Sequence, residues 1–430
     1  SQNRGTRKQT PHRDRQNHRR TRKRNCRMSK LQELINKLCP NGVEFKPLGE
    51  LVGYEQPTKY IVHSTEYSNH FETPVLTAGQ SFILGYTNEK FDIYPASEND
   101  PVIIFDDFTT SFHWVDFPFK VKSSALKILR PKTKFANFKY IHYAMQCIGF
   151  VPGEHTRHWI SKYSLFTIPV PPIEVQEEIV RILDSFSDYA AELQAELQAR
   201  KQQYEYYRNL LLTFNPSAYG YGTDDEQKDG VTTWEGHNYK IQWKKLGEIG
   251  NICMCKRILK HQTNTKSGIP FYKIGTFGKV ADSYISEDLF MEYKKKYSFP
   301  QKGEILISAS GTIGRAVIYD GEDAYFQDSN IVWINNDESM VLNKYLYYFY
   351  QIVDWNVEGG TIKRLYNTNL SNTPIPIPPL ELQEKIVAIL DRFETLVNDL
   401  TNGLPAEIAA VKDQYEYYRN KLLTFKKLSA

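Results

Sequence analysis

The stretch IPVPPIEVQEEIVRILDSF, Ile168 to Phe186, returns 207 residues later as IPIPPLELQEKIVAILDRF, Ile375 to Phe393. Upstream, Phe45-Lys46-Pro47-Leu48-Gly49-Glu50-Leu51 answers Trp243-Lys244-Lys245-Leu246-Gly247-Glu248-Ile249, 198 residues on. Downstream, QYEYYRNLLLTF (Gln203 to Phe214) answers QYEYYRNKLLTF (Gln414 to Phe425) at a spacing of 211. A fixed internal period is the mark of a repeated structural unit. The chain is therefore two copies of one plan: a variable block, a proline-rich hinge and a long helix.

The helices follow from the hinges. Pro171-Pro172 and Pro378-Pro379 cannot continue a helix backwards, so each marks a start. From there apolar residues fall at Ile179, Leu183, Phe186, Ala190, Leu193, Leu197, Tyr204, Tyr207, Leu211 and Phe214. The steps of four and three make a heptad seam. In the second copy the seam runs through Ile386, Leu390, Phe393, Val397 and Leu400, then Leu404, Ile408, Val411, Tyr415, Tyr418, Leu422 and Phe425. The extra step at Leu404 is a stutter. Gly403 and Pro405 sit in it, which predicts a kink or short break. Two matching seams in one chain are expected to pack antiparallel as a rod with a head at each end.

The expected fold is thus α/β heads plus a long-helix coiled coil, two mixed α/β domains separated by two antiparallel helices and related by a pseudo-two-fold repeat. The expected divisions are a basic leader at 1–27, a helix at 28–43 and a first variable domain at 44–172. A long helix at 173–216, a linker at 217–239, a second variable domain at 240–378 and a second long helix at 379–427 complete the chain. Both variable domains carry short strands followed by polar loops. Pro101-Val102-Ile103-Ile104-Phe105 precedes Asp107 to Ser111, and Glu304-Ile305-Leu306-Ile307 precedes Ser308 to Gly314.

Composition bounds the function classes. The 430 residues are 41% hydrophobic and 13% aromatic, enough for real cores. No run of about 18 apolar residues reads as a membrane span, and no signal peptide is read at the polar N-terminus. Five cysteines at irregular spacing make no disulfide framework. Cys253-Met254-Cys255 lacks a partner pair for a metal, so none is expected. A reduced, cytoplasmic protein fits.

The net charge of +4 is uneven. Residues 1–27 hold 11 Lys/Arg and one acid, leaving 43 basic and 49 acidic residues in the rest. Such a leader cannot fold alone and resembles a phosphate-gripping arm. The abrupt start of an amphipathic helix at Met28 favours Met28 as the natural start instead. A binder of DNA with a slightly acidic body must concentrate positive charge locally or borrow it from partners.

Candidate contact residues lie in the loops of the variable domains. In the first they are Thr109, Thr110 and Ser111, with His155, Arg157 and His158. In the second they are Ser308, Ser310 and Thr312, with Thr361, Lys363 and Arg364. At the 207 spacing Gly153 aligns with Gly360, Arg157 with Arg364 and Trp159 with Tyr366. Arginine can fork onto a phosphate or a guanine edge. Catalytic signatures are missing: no GxxxxGK[ST], no GxGxxG opening a helix and no HExxH. Asp106 and Asp107 read as a solvated loop, not as a catalytic pair.

The PxPPxExQ hinge, the QYEYYRxxLLTF ends, the Leu-Gly-Glu openings and Asn402-Gly403-Leu404-Pro405-Ala406-Glu407 together resemble the specificity subunit of type I restriction-modification systems. The resemblance covers Met28 to Phe425. It implies two target-recognition domains, each reading one half of a split asymmetric DNA site, and no catalytic centre in this chain. It implies two methyltransferase subunits docked along the helices, with restriction subunits as further partners. S-adenosylmethionine, ATP and Mg would be held by those partners, and no cofactor by this chain. The tandem tetrapeptide at 191–198, AELQAELQ, resembles the short repeats that set spacer length in one branch of the family. Packing and subunit contacts are expected from Ile179, Leu183, Phe186, Leu193, Leu197, Tyr204, Tyr207, Ile386, Leu390, Phe393, Tyr415 and Tyr418. The alternatives are a coiled-coil scaffold or an anti-restriction decoy without sequence reading of its own, and a self-contained methyltransferase or nuclease, which the missing motifs disfavour.

Overall fold

The computed structural model describes residues 28–77, 82–132, 136–214, 230–360, 363–399 and 403–428. The leader 1–27, Thr361, Leu400, residues 215–216 of the expected long helix and residues 217–229 of the expected linker lie outside them. The chain divides into two compact units: the chain up to Leu193 together with that from Ile408 onward, and Gln194–Glu407.

The first unit opens with helix α1 (28–38). Its head runs β1 (Glu44–Pro47), α2 (Leu48–Leu51), β2 (Val52–Glu55), β3 (Thr73–Leu76), β4 (Ile83–Thr87), β5 (Val102–Asp106), β6 (Phe112–Val115), β7 (Lys120–Val121), β8 (Leu126–Pro131), α3 (Phe138–Met145) and β9 (Thr167–Val170). Helix α4 (Ile173–Thr213) follows and gives residues to both units. The second head runs β10 (Gly230–Trp234), β11 (His237–Lys245), α5 (Leu246–Ile249), β12 (Ile252–Met254), β13 (Ile269–Tyr272), β14 (Tyr284–Ile285), α6 (Glu287–Lys296), β15 (Ile305–Ser308), β16 (Ala316–Ile318), β17 (Tyr325–Phe326), β18 (Ile331–Ile334), α7 (Asn343–Tyr350), α8 (Asn367–Asn372) and β19 (Pro374–Ile377). Helices α9 (Leu380–Asn398) and α10 (Leu404–Leu422) complete the chain. Strand β10 lies inside the segment expected as a linker and pairs with β11.

The two heads share one topology. An antiparallel sheet of order β2-β8-β5-β6 answers β12-β18-β15-β16, and a mixed sheet β4-β3-β7 answers β14-β13-β17. The β3–β7 and β13–β17 pairs are both parallel. Two of the sequence repeats turn out to be one strand pair. Phe45 faces Pro169 in β1–β9, and Trp243 faces Pro376 in β11–β19. Strand β5 is buried on both faces, which is why Val-Ile-Ile-Phe reads as an unbroken apolar run. The second head adds α6, capped by Ser286 with acids in its first turn and lysines in its last.

A third repeated segment fixes each head to its helices. Lys139-Tyr140-Ile141-His142-Tyr143 in α3, with Gln146 just after it, matches Lys344-Tyr345-Leu346-Tyr347-Tyr348 in α7, with Gln351 just after it. Tyr140 and Tyr345 donate to the hinge carbonyls of Pro169 and Pro376, both at 3.0 Å. Tyr143 donates to Asp184 at 2.5 Å, and Tyr348 to Asp391. Burial, and then these carboxylates, hold both phenols far above their ordinary range, so they stay neutral donors. The hinge glutamines finish the joint. Gln176 is fully buried, accepts from the Asn137 N–H and donates to the Pro171 carbonyl. Gln383 accepts from the Leu342 N–H and donates to the Pro378 carbonyl.

The repeated tails close the same joint. In the first unit Gln146 accepts from Tyr415 at 2.7 Å and Arg419 at 3.2 Å, and Phe186 stacks on Tyr418. In the second unit Gln351 accepts from Tyr204 at 3.3 Å and Arg208 at 3.0 Å, and Tyr207 stacks on Phe393. Within the first unit the early part of α4 thus meets the late part of α10, and within the second the late part of α4 meets α9. Ile179, Leu183, Phe186, Leu193, Leu197, Tyr204, Ile386 and Leu390 are buried, while Phe393, Tyr415 and Tyr418 are half-buried. Tyr207 is 36% exposed and sits at the rim of the seam, outside its core.

The second long helix is two helices. α9 stops at Asn398 because Asp399 turns extended, and α10 begins at Leu404 with Pro405 in its first turn, where no N–H is needed. Gly403 is required here. A Cβ would lie 2.6 Å from the Thr395 carbonyl oxygen.

Candidate nucleic-acid interface

In each head the loop after the central strand meets the loop before the hinge. The first head makes the contact through backbone and side chains. The His158 N–H donates to the Asp107 carbonyl at 2.8 Å, and His155 stacks on Phe108 with centroids 4.7 Å apart. The second head makes the same contact between the Leu365 N–H and the Ala309 carbonyl at 2.9 Å, with a bridge between Ser310 and Arg364. The expected candidates are therefore brought together in each head.

Burial sorts them. Thr109, Ser111, His155 and Arg157 are exposed in the first head, as are Thr312 and Lys363 in the second. Arg157 has no side-chain partner among the described residues. Three candidates are corrected. His158 is fully buried, with Nε2 3.1 Å from the Glu154 carbonyl. Thr110 is buried at φ +60°, where its N–H closes a turn onto the Asp106 carbonyl. Ser308 is buried, donates to the Thr312 carbonyl and accepts from the Arg315 N–H. Each turns at least one polar atom back into its own loop, while His158 Nδ1 is buried without a partner among the described residues. Ser310 is half-buried and donates to Asn330 at 2.9 Å. Thr361 lies outside the described residues.

Asp106 and Asp107 are not solvated; each is 2% exposed. Asp106 accepts from the Phe108 N–H and the Thr109 hydroxyl and so shapes the turn. Asp107 accepts from the Trp159 N–H at 2.8 Å and pairs with Lys127 at 3.2 Å, the lysine itself 2% exposed. Its position in a strand-end turn let both neighbours find inward partners. The corresponding positions in the second head are Ala309 and Val332, fixed by the shared register of β5–β8 and β15–β18. There the loop is tied by the turn Gln327 to Asn330. Asp328 pairs with Arg257 at 2.7 Å, and Ser329 holds Arg364. Asp107, Ser329 and Asn330 were missed in the sequence, since no spacing marks a partner 52 or 35 residues away. The internal alignment of the two loops was the available signal.

Gly153 and Gly360, aligned in sequence, both face open space. Among the described residues no group of three His, Cys, Asp or Glu side chains converges as metal ligands. No described helix is long and apolar enough to cross a membrane.

With the frame and loops in place, comparison with known proteins decides the family. The model of the type I restriction modification DNA specificity domain matches twice, at residues 40–200 and 239–410. The chain belongs to this family. A Haemophilus influenzae protein, provisionally assigned as a type I restriction enzyme specificity subunit, is 44% identical over 89% of this chain and 96% of its own. A type I restriction enzyme specificity subunit of Escherichia coli is 36% identical over 93% of this chain and 98% of its own. The type I S subunit of M. genitalium shares the fold at TM-score 0.50 and 12% identity, over 89% of this chain and 96% of that one. The two matched segments of this specificity subunit carry the two heads, and DNA sequence specificity is the role its relatives fit.

Proposed function

We propose that each head of this specificity subunit reads one half of a bipartite, asymmetric duplex site, and that the chain itself catalyses nothing. One observation carries the reading: two heads whose four-stranded and mixed sheets have the same strand order present chemically different loops at the same place. A shared frame positions, and differing side chains specify. Thr109, Ser111, His155 and Arg157 would touch one half-site, and Ser310, Thr312 and Lys363 the other.

Two methyltransferase subunits would dock on the helices, with restriction subunits joining them in the cytoplasm. Tyr206 and Tyr417, 64% and 59% exposed at the repeat spacing of 211, offer each copy the same aromatic contact. S-adenosylmethionine, ATP and Mg would enter on those partners, as would the charge that offsets duplex phosphates. The AELQ tandem would act as a ruler. Four helical residues add about 6 Å, close to two base steps of about 3.4 Å.

The purified chain with S-adenosylmethionine and duplex DNA is expected to give no methyl transfer. Adding methyltransferase subunits should give methylation at one bipartite site. Inserting one further AELQ should lengthen the gap and leave both half-sites unchanged. Turnover by the chain alone, or altered half-site letters, contradicts the reading.

A further inference from the structure

The sequence gives Arg157 and Arg364 the same role by alignment, and the structure separates them. Arg157 is exposed and without a partner among the described residues. Arg364 is half-buried, and its Nη2 donates to both the carbonyl and the hydroxyl of Ser329, each at 2.8 Å. A guanidinium offers two forked edges, Nε–Nη2 and Nη1–Nη2, and both include Nη2. A nitrogen engaged twice by Ser329 leaves neither edge whole for a guanine, whose recognition needs two parallel donors.

The backbone around Arg364 fits an anchor. Its N–H donates to the Glu358 carbonyl at 2.8 Å and its carbonyl accepts from the Glu358 N–H at 3.0 Å. Ser329 sits at φ +37°, between Asp328, paired with Arg257, and Asn330, which accepts from Ser310. One turn thus fastens three segments at a single point. The first head does this with Asp107, whose carboxylate and carbonyl hold Trp159 and His158.

We infer that Arg364 is a positioning residue that staples its loop to Ser329, and that the exposed neighbour Lys363 is the cation that meets DNA in this head. Anchor and contact have changed places between the heads. In the first, a buried acid anchors and the arginine is exposed. In the second, the arginine anchors and the lysine is exposed. This rests on the loops being DNA-contacting, as proposed above.

The test uses the full chain assembled with its methyltransferase partner. The probes are duplexes carrying the site mapped for the wild-type chain and every single-base variant of it. Methyl-transfer rates are read at subsaturating DNA. Arg364→Ala should lower the rate roughly 10-fold, the scale of a lost charged hydrogen bond. Arg364→Lys should recover to within about 3-fold, because an ammonium can also donate to both Ser329 oxygens, whereas a site built around the planar arginine fork tolerates lysine poorly. Ser329→Ala and Arg364→Ala should be non-additive. Lys363→Ala should lower the salt slope by about one without changing base preference. A base-reading Arg364 would instead relax one base position, resist rescue by lysine and add to Ser329→Ala; that pattern overturns the inference alone. If neither Arg364→Ala nor Lys363→Ala changes the rate or the salt slope, both the inference and the reading of these loops as DNA contacts are overturned.

Discussion

The two heads share a strand order but not an interior. The first buries two lysines. Lys120 pairs with Glu89 at 2.9 Å and Lys127 with Asp107 at 3.2 Å, all four side chains at most 8% exposed. At the matching registers the second head buries Tyr325 and Val332. Its core is aromatic, with Phe271, Phe277, Phe290, Phe299, Tyr319 and Phe326 around Tyr325. The difference shows what the frame demands. Strand pairing and backbone contacts between loops recur, while the groups that rigidify the loops are free to change. A specificity protein can thus vary its recognition loops, and what braces them, without losing the joint to its helices.

The largest test breaks the ionic brace. Asp107→Ala leaves Lys127 buried and unpaired, which should cost roughly 3–5 kcal/mol in thermal unfolding and abolish recognition of one half-site. Asp107→Ala with Lys127→Val copies the Ala309–Val332 pair of the second head. It should return stability to within about 1 kcal/mol of wild type, because apolar replacement of both partners is nearly neutral. Failure of the double variant to regain stability would mean the heads are not equivalent at this position.

The next test addresses what the heads share. Gln146→Ala and Gln351→Ala each strip a tyrosine and an arginine of their acceptor. Each should lower stability by about 1–3 kcal/mol, and by similar amounts. Unequal losses would show that the tails grip the two heads differently. Arg157→Ala should have the smallest effect. DNA affinity should fall about 10-fold in low salt, with the salt slope reduced by about one. Loss of preference at a single base would make Arg157 a base reader instead.

Much of the frame was legible because repeats need no structure to be seen. The hinge prolines, the seams and the stutter at Leu404 each translate directly into backbone constraints. The α3–α7 repeat, Lys-Tyr-[Ile/Leu]-x-Tyr-x-x-Gln, was equally present but hidden inside blocks read as variable. The start of β10 at Gly230 was hidden too, since Val231-Thr232-Thr233-Trp234 lies next to a polar stretch. The loop candidates were legible as segments but not as side chains. His158, Thr110 and Ser308 are polar yet turn inward, where His158 Nε2, the Thr110 N–H and the Ser308 hydroxyl find partners within the loop. Asp107 is charged yet buried, because Lys127 lies two residues into a strand that only the fold brings alongside.

The central claim is that each head reads its own half of the site. Replacing residues 52–166 by the matching block of the Escherichia coli relative, and mapping methylated bases in cells at single-molecule resolution, tests it most directly. The account predicts a site in which one half changes its letters while the other half and the gap length stay as before. Change in both halves, or in the gap, would contradict it.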